Sequence, residues 1–341
     1  MDSTDLQVLK AAVEWLGAGR RPVLATVVET WGSSPRQPGA WMALRDDGAV
    51  AGSVSGGCIE EDMIQRVRTG LRSLRKPEVM TYGVTPADAV RFGLPCGGTV
   101  RLVVEPAPDA IALREMASRL ALREPVARTL DMRTGYTRLG AVHRDDRLMF
   151  DGESLRTIHG PQWRLLIIGA GQASQYLAQM ALALDYEVMV CDPRAEYRAA
   201  WRVEGAELVT EMPDDAVLRL RPDARSAVVA LTHDPKLDDM ALLEALRSSA
   251  FYVGCLGSQA NTAKRKERLH QHFDVTEEEL ARLHGPVGLP IGSHTPPEIA
   301  LSILGEITAL KNGVHPPRVH GGEPGAQHGG LCRALEDMAD A

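Results

Sequence analysis

Leu6, Leu9, Val13 and Leu16 recur at helical spacing and predict an amphipathic helix over roughly residues 6–16. The period then shortens. PVLATVVET (22–30), AWMALRDDG (40–48), AVAGSVSG (49–56) and TVRLVVEP (99–106) read as strands, with Arg45-Asp46-Asp47-Gly48 as the turn between two of them. EEDMIQRVRTGLRSL (60–74) predicts a helix starting just after Cys58, its first-turn acids Glu60, Glu61 and Asp62 favourable to the helix dipole. After Pro106 and Pro108 a further helix precedes VARTLDMRTG (126–135) and DRLMFDGESL (146–155), which suggest a short meander.

Near residue 160 the pattern changes. Leu165 to Ile168 is continuously apolar, as a buried parallel strand is, and Gly169-Ala170-Gly171 then opens a helix. Asp192 ends the next strand, 23 positions after Gly169, where a ribose-binding acid stands in a dinucleotide fold, and Ser174 takes the third glycine position. SAVVALTHD (226–234) and FYVGCLGSQANTAKRKERL (251–269) continue the rhythm. Thr295 as N-cap, Pro296 at the first helical position and Glu298 three after the cap start the last helix. The expected fold class is therefore α/β: an N-terminal α+β domain over residues 1–160, then a Rossmann-like domain with a mainly parallel sheet over 161–313. Residues 314–341, rich in glycine and proline with His315, His320 and His328, are expected to be a flexible tail.

Composition narrows the setting. A hydrophobic fraction of 44% with 24% charged residues excludes a wholly disordered chain, and 341 residues suffice for two cores. The formal net charge of -7 argues against nucleic acid as the main partner. The N-terminal stretch carries acids where a secretory signal carries positive charge, and no apolar run reaches the roughly eighteen residues of a membrane span, so no membrane partner and a cytoplasmic location are expected. Five cysteines at 58, 96, 191, 255 and 332 form neither a disulfide framework nor a CxxC pair, and read as free thiols.

Two of those thiols raise a chemical question. Cys58 follows Gly56 and Gly57, and Cys96 precedes Gly97 and Gly98, where close packing is a poor reason for a cysteine. Either both contact a metal or cofactor, or both are small residues buried in glycine turns. Arg36, in the polar loop WGSSPRQPG, has a guanidinium suited to bidentate phosphate binding or to solvent. His233 beside Asp234, and His294 before the last helix, face a ligand or only close their loops. Cys191 and Cys255 lie in apolar strands and read as core, and KRKER (264–268) reads as a solvated helix face. Gly169, Gly171 and Asp192 suit NAD(P), which keeps open an NAD(P)-dependent oxidoreductase. No tyrosine-lysine pair at helical spacing in that half supplies a hydride-transfer set.

The blocks ETWGSSPRQPGAWMALRDDGAVAGSVSGGCIEED and GLPCGGTVRLVVEP resemble the N-terminal domain of the XdhC/CoxI family. LLIIGAGQASQYL, VMVCDPR, ALTHDPKLDD, YVGCLGS and LPIGSHTPPEIALSILGEI resemble its C-terminal Rossmann domain, and together the blocks cover roughly residues 8–312. The resemblance implies a molybdenum cofactor-binding chaperone, an accessory protein rather than a turnover enzyme. Such a protein holds the pterin cofactor while a cysteine desulfurase supplies sulfur, and delivers it to an apo-molybdenum hydroxylase of xanthine dehydrogenase or CO dehydrogenase type. It also implies a homodimer. Cys58 then becomes a candidate molybdenum contact through its soft thiolate, and Cys96 a further cofactor-binding residue. Gly56, Gly57, Gly97 and Gly98 would present backbone N–H groups to the molybdopterin phosphate or oxo groups. The Rossmann residues Gly169, Gly171, Asp192, His233 and His294 would close the pocket from the second domain, and a cytosine-dinucleotide form of the cofactor would use the glycine turn and Asp192.

Overall fold

The computed structural model describes residues 3–32, 36–70, 76–83, 98–143 and 146–316. The chain divides into two compact units, Met1–Gln162 and Trp163–Ala341. In the first, helix α1 (Ser3–Gly17) precedes the strands β1 (Val23–Trp31), β2 (Trp41–Leu44) and β3 (Val50–Gly52), helix α2 (Cys58–Thr69), and the strands β4 (Glu78–Tyr82) and β5 (Thr99–Glu105). These five strands form an antiparallel sheet in the order β3-β2-β1-β5-β4. Alternation along β1 explains why both faces are covered: Val23, Ala25 and Val27 pack with Ile59, Met63 and Val67 of α2, while Leu24 packs with Val8, Leu9 and Ala12 of α1.

Helix α3 (Ala110–Ala121) adds Leu113, Met116 and Leu120 to the α1 side, with Asp109 capping its Ile111 and Ala112 N–H groups. The expected meander is a second antiparallel sheet, ordered β7-β6-β9-β8, of β6 (Val126–Asp131), β7 (Thr137–Gly140), β8 (Met149–Phe150) and β9 (Ser154–His159). Val28 and Val103 of the first sheet pack with Leu130 and Leu155 of the second. Beside them, Arg128 Nη2 donates to both oxygens of Glu105, at 2.7 and 2.6 Å, and this pair is buried.

Two sequence expectations change here. The run AVAGSVSG is a strand only over Val50–Gly52, because the N–H groups of Val54, Ser55 and Gly56 turn to the Glu60 carboxylate instead of a neighbouring strand. The helix expected over residues 60–74 starts at Cys58 and ends at Thr69, where Gly70 caps it at φ 146°, and residues 71–75 lie outside the described part.

The second unit is the expected parallel layer. Strands β10 (Arg164–Ile168), β11 (Glu187–Cys191), β12 (Glu207–Val209), β13 (Ser226–Ala230), β14 (Tyr252–Cys255) and β15 (Leu283–His284) pair in the order β12-β11-β10-β13-β14-β15, every pairing parallel. Their continuous apolar character follows from helices on both faces. Helices α4 (Gln172–Ala183) and α10 (Pro296–Lys311) cover Leu165, Ile167, Val188 and Val229. On the other face α6 (Pro213–Leu220), α7 (Pro235–Arg247), α8 (Gln259–Phe273) and α9 (Glu277–Ala281) cover Leu166, Ile168, Val228 and Val253, and the short α5 (Ala195–Ala199) follows β11. Cys191 and Cys255 are fully buried in that core, and burial pushes the Cys191 thiol up to about 12. Among the described residues no helix is long and apolar enough to cross a membrane.

Candidate functional site

In the first unit the candidate residues gather at the loop between β3 and α2. Gly57 is the N-cap of α2 at φ 149° and ψ −64°, backbone that only glycine adopts readily, and Gly56 before it has φ 101°. Cys58 is the first residue of the helix. Both oxygens of Glu60, one turn further on, reach back into the loop. Oε1 accepts from Ser53 Oγ at 2.7 Å and from the N–H groups of Val54 at 2.9 Å, Ser55 at 2.8 Å and Gly56 at 3.1 Å. Oε2 accepts from Ser55 Oγ and from Gly57 N–H at 2.9 Å. Burial alone would raise the Glu60 carboxyl, but the bonds from Ser55 and Ser53 outweigh it and hold the group at about 2. The glycine N–H groups expected to face a ligand thus already serve an internal anion.

Arg36 belongs to the same place. Its Nε donates to the Ser53 carbonyl at 3.2 Å, so two blocks seventeen residues apart meet here. Gly98 is buried, just before β5, whereas Cys96 and Gly97 lie outside the described residues. Among the described residues no three His, Cys, Asp or Glu side chains are grouped to hold a metal.

In the second unit the candidates lie along the carboxyl edge of the sheet, where strands end and helices begin. Gly169 follows β10 at φ 104°, and its N–H donates to the Cys191 carbonyl at 2.7 Å. A Cβ there would stand 3.1 Å from Leu231 and Thr232 backbone atoms, so glycine is needed for the two strand ends to approach. Gly171, the N-cap of α4, differs: its φ is −75° and a Cβ would meet nothing within 4 Å. The chain's own packing does not require glycine at 171, and the open space lies at a helix N-terminus suited to phosphate. Ser174, at the third glycine position, is buried and small enough for close packing.

Asp192 stands at the end of β11 and is wholly buried. One carboxylate oxygen accepts Ala170 N–H at 2.8 Å and Arg194 Nη2 at 2.9 Å, and the other accepts Arg194 Nε at 2.9 Å and Arg194 N–H at 3.0 Å. Burial opposes the charge, but the bonds from Arg194 and Ala170 win and lower the carboxyl below its usual range. The Arg194 guanidinium lies 3.9 Å from the Tyr197 ring centroid. His233 is exposed and has the left-handed φ of 62°, an uncommon conformation for a residue other than glycine. Asp234 caps α7 through Lys236 N–H at 2.9 Å. His294 is exposed before α10, and its N–H, like that of Thr295, is held by the Glu298 carboxylate at 2.8 and 2.9 Å.

One reading of the sequence is overturned beside this edge. Arg265, inside KRKER, is buried rather than solvated: it pairs with Asp238 and Asp239, each at 3.2 Å, while Arg268 holds Asp239 at 2.6 Å. The reason is the packing of α8 against α7, whose acids need buried partners. Asp238 also accepts Thr232 N–H and its hydroxyl, which ties the loop after β13 to α7. Glu60 and Asp238 are the residues that the sequence reading missed as loop organisers. The signal available for Glu60 was its place three after an N-cap, where a capping glutamate reaches backward.

The chain matches the family described as the XdhC and CoxI family over residues 15–83, and the XdhC Rossmann domain over residues 165–307. It is 29% identical over 305 residues to the molybdenum cofactor insertion chaperone PaoD of Escherichia coli K12, covering 89% of this chain and 88% of that protein. It is 26% identical over 324 residues to a probable xanthine dehydrogenase subunit of Bacillus subtilis 168, covering 86% of this chain and 94% of that protein. A crystal structure titled as a xanthine dehydrogenase from Bacillus halodurans superposes with a TM-score of 0.70 at 24% identity, covering 95% of this chain and 98% of the other, which shows a shared fold.

Proposed function

The chain belongs to the XdhC and CoxI family, and from this premise we propose that it is a molybdenum cofactor-binding chaperone that holds the pterin cofactor, supports its sulfuration and delivers it to an apo-molybdenum hydroxylase. The observation that carries the reading is the similarity to a molybdenum cofactor insertion chaperone along nearly the whole of both chains. The residues fit such a ligand in their chemistry. Gly171 leaves open space at the N-terminus of α4, suited to a phosphate or, in a cytosine-dinucleotide form, a pyrophosphate. Cys58 heads α2 behind a glycine in a glycine-only conformation and would offer a soft thiolate to molybdenum. When bound, the group supplies a molybdenum centre bearing sulfur and oxo ligands, and the chain's part is to hold it. Cys96 with Gly97 and Gly98, and Arg36, are the further proposed contacts of the first unit, and His233 and His294 those of the second.

The finer parts of this reading are a cysteine desulfurase as the sulfur source, a client of xanthine dehydrogenase or CO dehydrogenase type, a homodimer, and a cytoplasmic setting. The competing reading is NAD(P) binding at the same glycine turn. In its favour is the parallel sheet with its turn and strand-end acid; against it, Arg194 already occupies both oxygens of Asp192.

The test is the ligand content of protein produced anaerobically with and without a working pterin pathway, with molybdenum read by elemental mass spectrometry and pterin by fluorescence after oxidation. Near-stoichiometric molybdenum and pterin, lost in Cys58→Ala, are expected. Tight nicotinamide dinucleotide binding with no pterin under either condition would replace this reading by the oxidoreductase.

A further inference from the structure

An acid in the first turn of a helix ordinarily needs only to be near the positive end of the dipole, an effect of roughly 0.3–1 kcal/mol that an exposed side chain supplies. Glu61 is such a residue, exposed to solvent. Glu60 is not. It is 9% exposed, and four consecutive N–H groups, Val54 to Gly57, converge on its two oxygens together with the hydroxyls of Ser53 and Ser55. A loop that would otherwise carry several unmade backbone bonds is thereby given one shape. The division between the oxygens is specific. Oε1 gathers Ser53 Oγ and the N–H groups of residues 54–56, whereas Oε2 holds Ser55 Oγ and the Gly57 N–H, the last backbone group before Cys58.

We propose that Glu60 is a positioning residue for cofactor uptake: its carboxylate fixes the backbone of residues 54–57, and with it the entry into α2 at which Cys58, the proposed molybdenum contact, stands. The inference rests on the chaperone reading above and adds to it a residue that touches no ligand. It also changes what the loop recognises with. While Glu60 is in place the N–H groups of residues 54–57 are committed inward, so recognition here falls to Cys58, to Arg36 held on the Ser53 carbonyl, and to the exposed surface of Gly56 and Gly57. Glu60→Gln separates the two halves of the contact. With its amide oxygen in the place of Oε1, where four donors meet, those bonds are kept; its NH2 group then faces Ser55 Oγ, which can turn to accept, and Gly57 N–H, which is left without an acceptor.

The experiment compares wild type, Glu60→Gln and Tyr82→Phe, each produced with the pterin pathway. Tyr82 donates to Asp62 of α2 at 2.9 Å, so its variant removes a bond to α2 and leaves the Glu60 hydrogen bonds in place. Molybdenum and pterin per chain and the thermal midpoint are read for each. Glu60→Gln is expected to lose affinity for the cofactor roughly tenfold or more, the scale of one charge-assisted hydrogen bond, beyond what its midpoint accounts for, while Tyr82→Phe stays loaded. A loaded wild type beside an equally loaded Glu60→Gln overturns the inference alone, as does a loss that simply follows the midpoint in both variants. A wild type holding neither molybdenum nor pterin overturns the chaperone reading, and this inference with it. Should Glu60→Gln fail to fold, Gly57→Ala strains the same backbone with the carboxylate intact and is expected to lose occupancy as well; full loading there overturns the proposal.

Discussion

Arg194 grips both carboxylate oxygens of Asp192, Nε at 2.9 Å from one and Nη2 at 2.9 Å from the other, while its guanidinium lies over Tyr197. The acid at the strand end is therefore a structural partner of the chain before it is a partner of any ribose. Asp192→Ala removes the acceptor of a buried Ala170 N–H and leaves Arg194 to solvent, so a loss of about 2 kcal/mol is expected in urea unfolding. If a cytosine-dinucleotide pterin uses this edge, the same variant weakens the dinucleotide form more than the mononucleotide form. Equal losses in a competition assay would remove the dinucleotide proposal.

The Glu60 carboxyl gives an acid-side signature. Held at about 2 against its ordinary 4.5, it contributes stability that is fully present above 4.5 and is lost as the pH falls toward 2. Between pH 5 and pH 3 its share of the loss is roughly 2 kcal/mol. Urea titrations at the two pH values should show a smaller drop for Glu60→Gln than for wild type, by about that amount. Identical drops would mean that the carboxylate is not bonded as described.

Arg128 and Glu105 join the two sheets of the first unit, almost wholly out of water, with Thr137 Oγ1 a further acceptor at 3.2 Å. Arg128→Ala strands a buried carboxylate and should cost about 3–5 kcal/mol in denaturant unfolding. The double variant Arg128→Met with Glu105→Leu should recover most of that, because the desolvation of both charges disappears with them. A double variant no more stable than the single one would show that the pair fixes the arrangement of the sheets beyond its electrostatic balance.

What the sequence made legible follows from the range of each interaction. Periodicity located α1, β1, β2 and β5, and the run from Leu165 to Asp192 announced the parallel sheet, since buried strands and glycine turns are local signals. The strand β4 passed unnoticed because EVMTY is short and its hydropathy does not follow its burial: Val79 lies on the exposed side and Glu78 on the half-buried one. Contacts set by packing were illegible for a different reason. Nothing local distinguishes buried Arg265 from solvated Lys264, because the difference lies in Asp238 and Asp239 of a neighbouring helix. The loop before α2 falls between these cases: its glycines and Cys58 stood out, but the residue that shapes it looked like an ordinary first-turn acid.

Gly169 and Gly171 share one turn and should separate fold from function. At Gly169 the φ of 104° and a Cβ only 3.1 Å from the backbone of Leu231 and Thr232 make alanine both strained and crowded, so Gly169→Ala should lose about 2–4 kcal/mol in urea unfolding. At Gly171 the φ of −75° is ordinary and the Cβ position is open, so in Gly171→Ala a stiffer unfolded chain offsets the poorer N-cap and stability should stay within about 1 kcal/mol of wild type. Its added methyl would instead stand where a phosphate approaches the N-terminus of α4. A Gly171→Ala protein that unfolds like wild type yet carries several-fold less pterin would place the ligand at this turn. One that unfolds like wild type and stays fully loaded would move the ligand's phosphate away from the second unit's glycine turn.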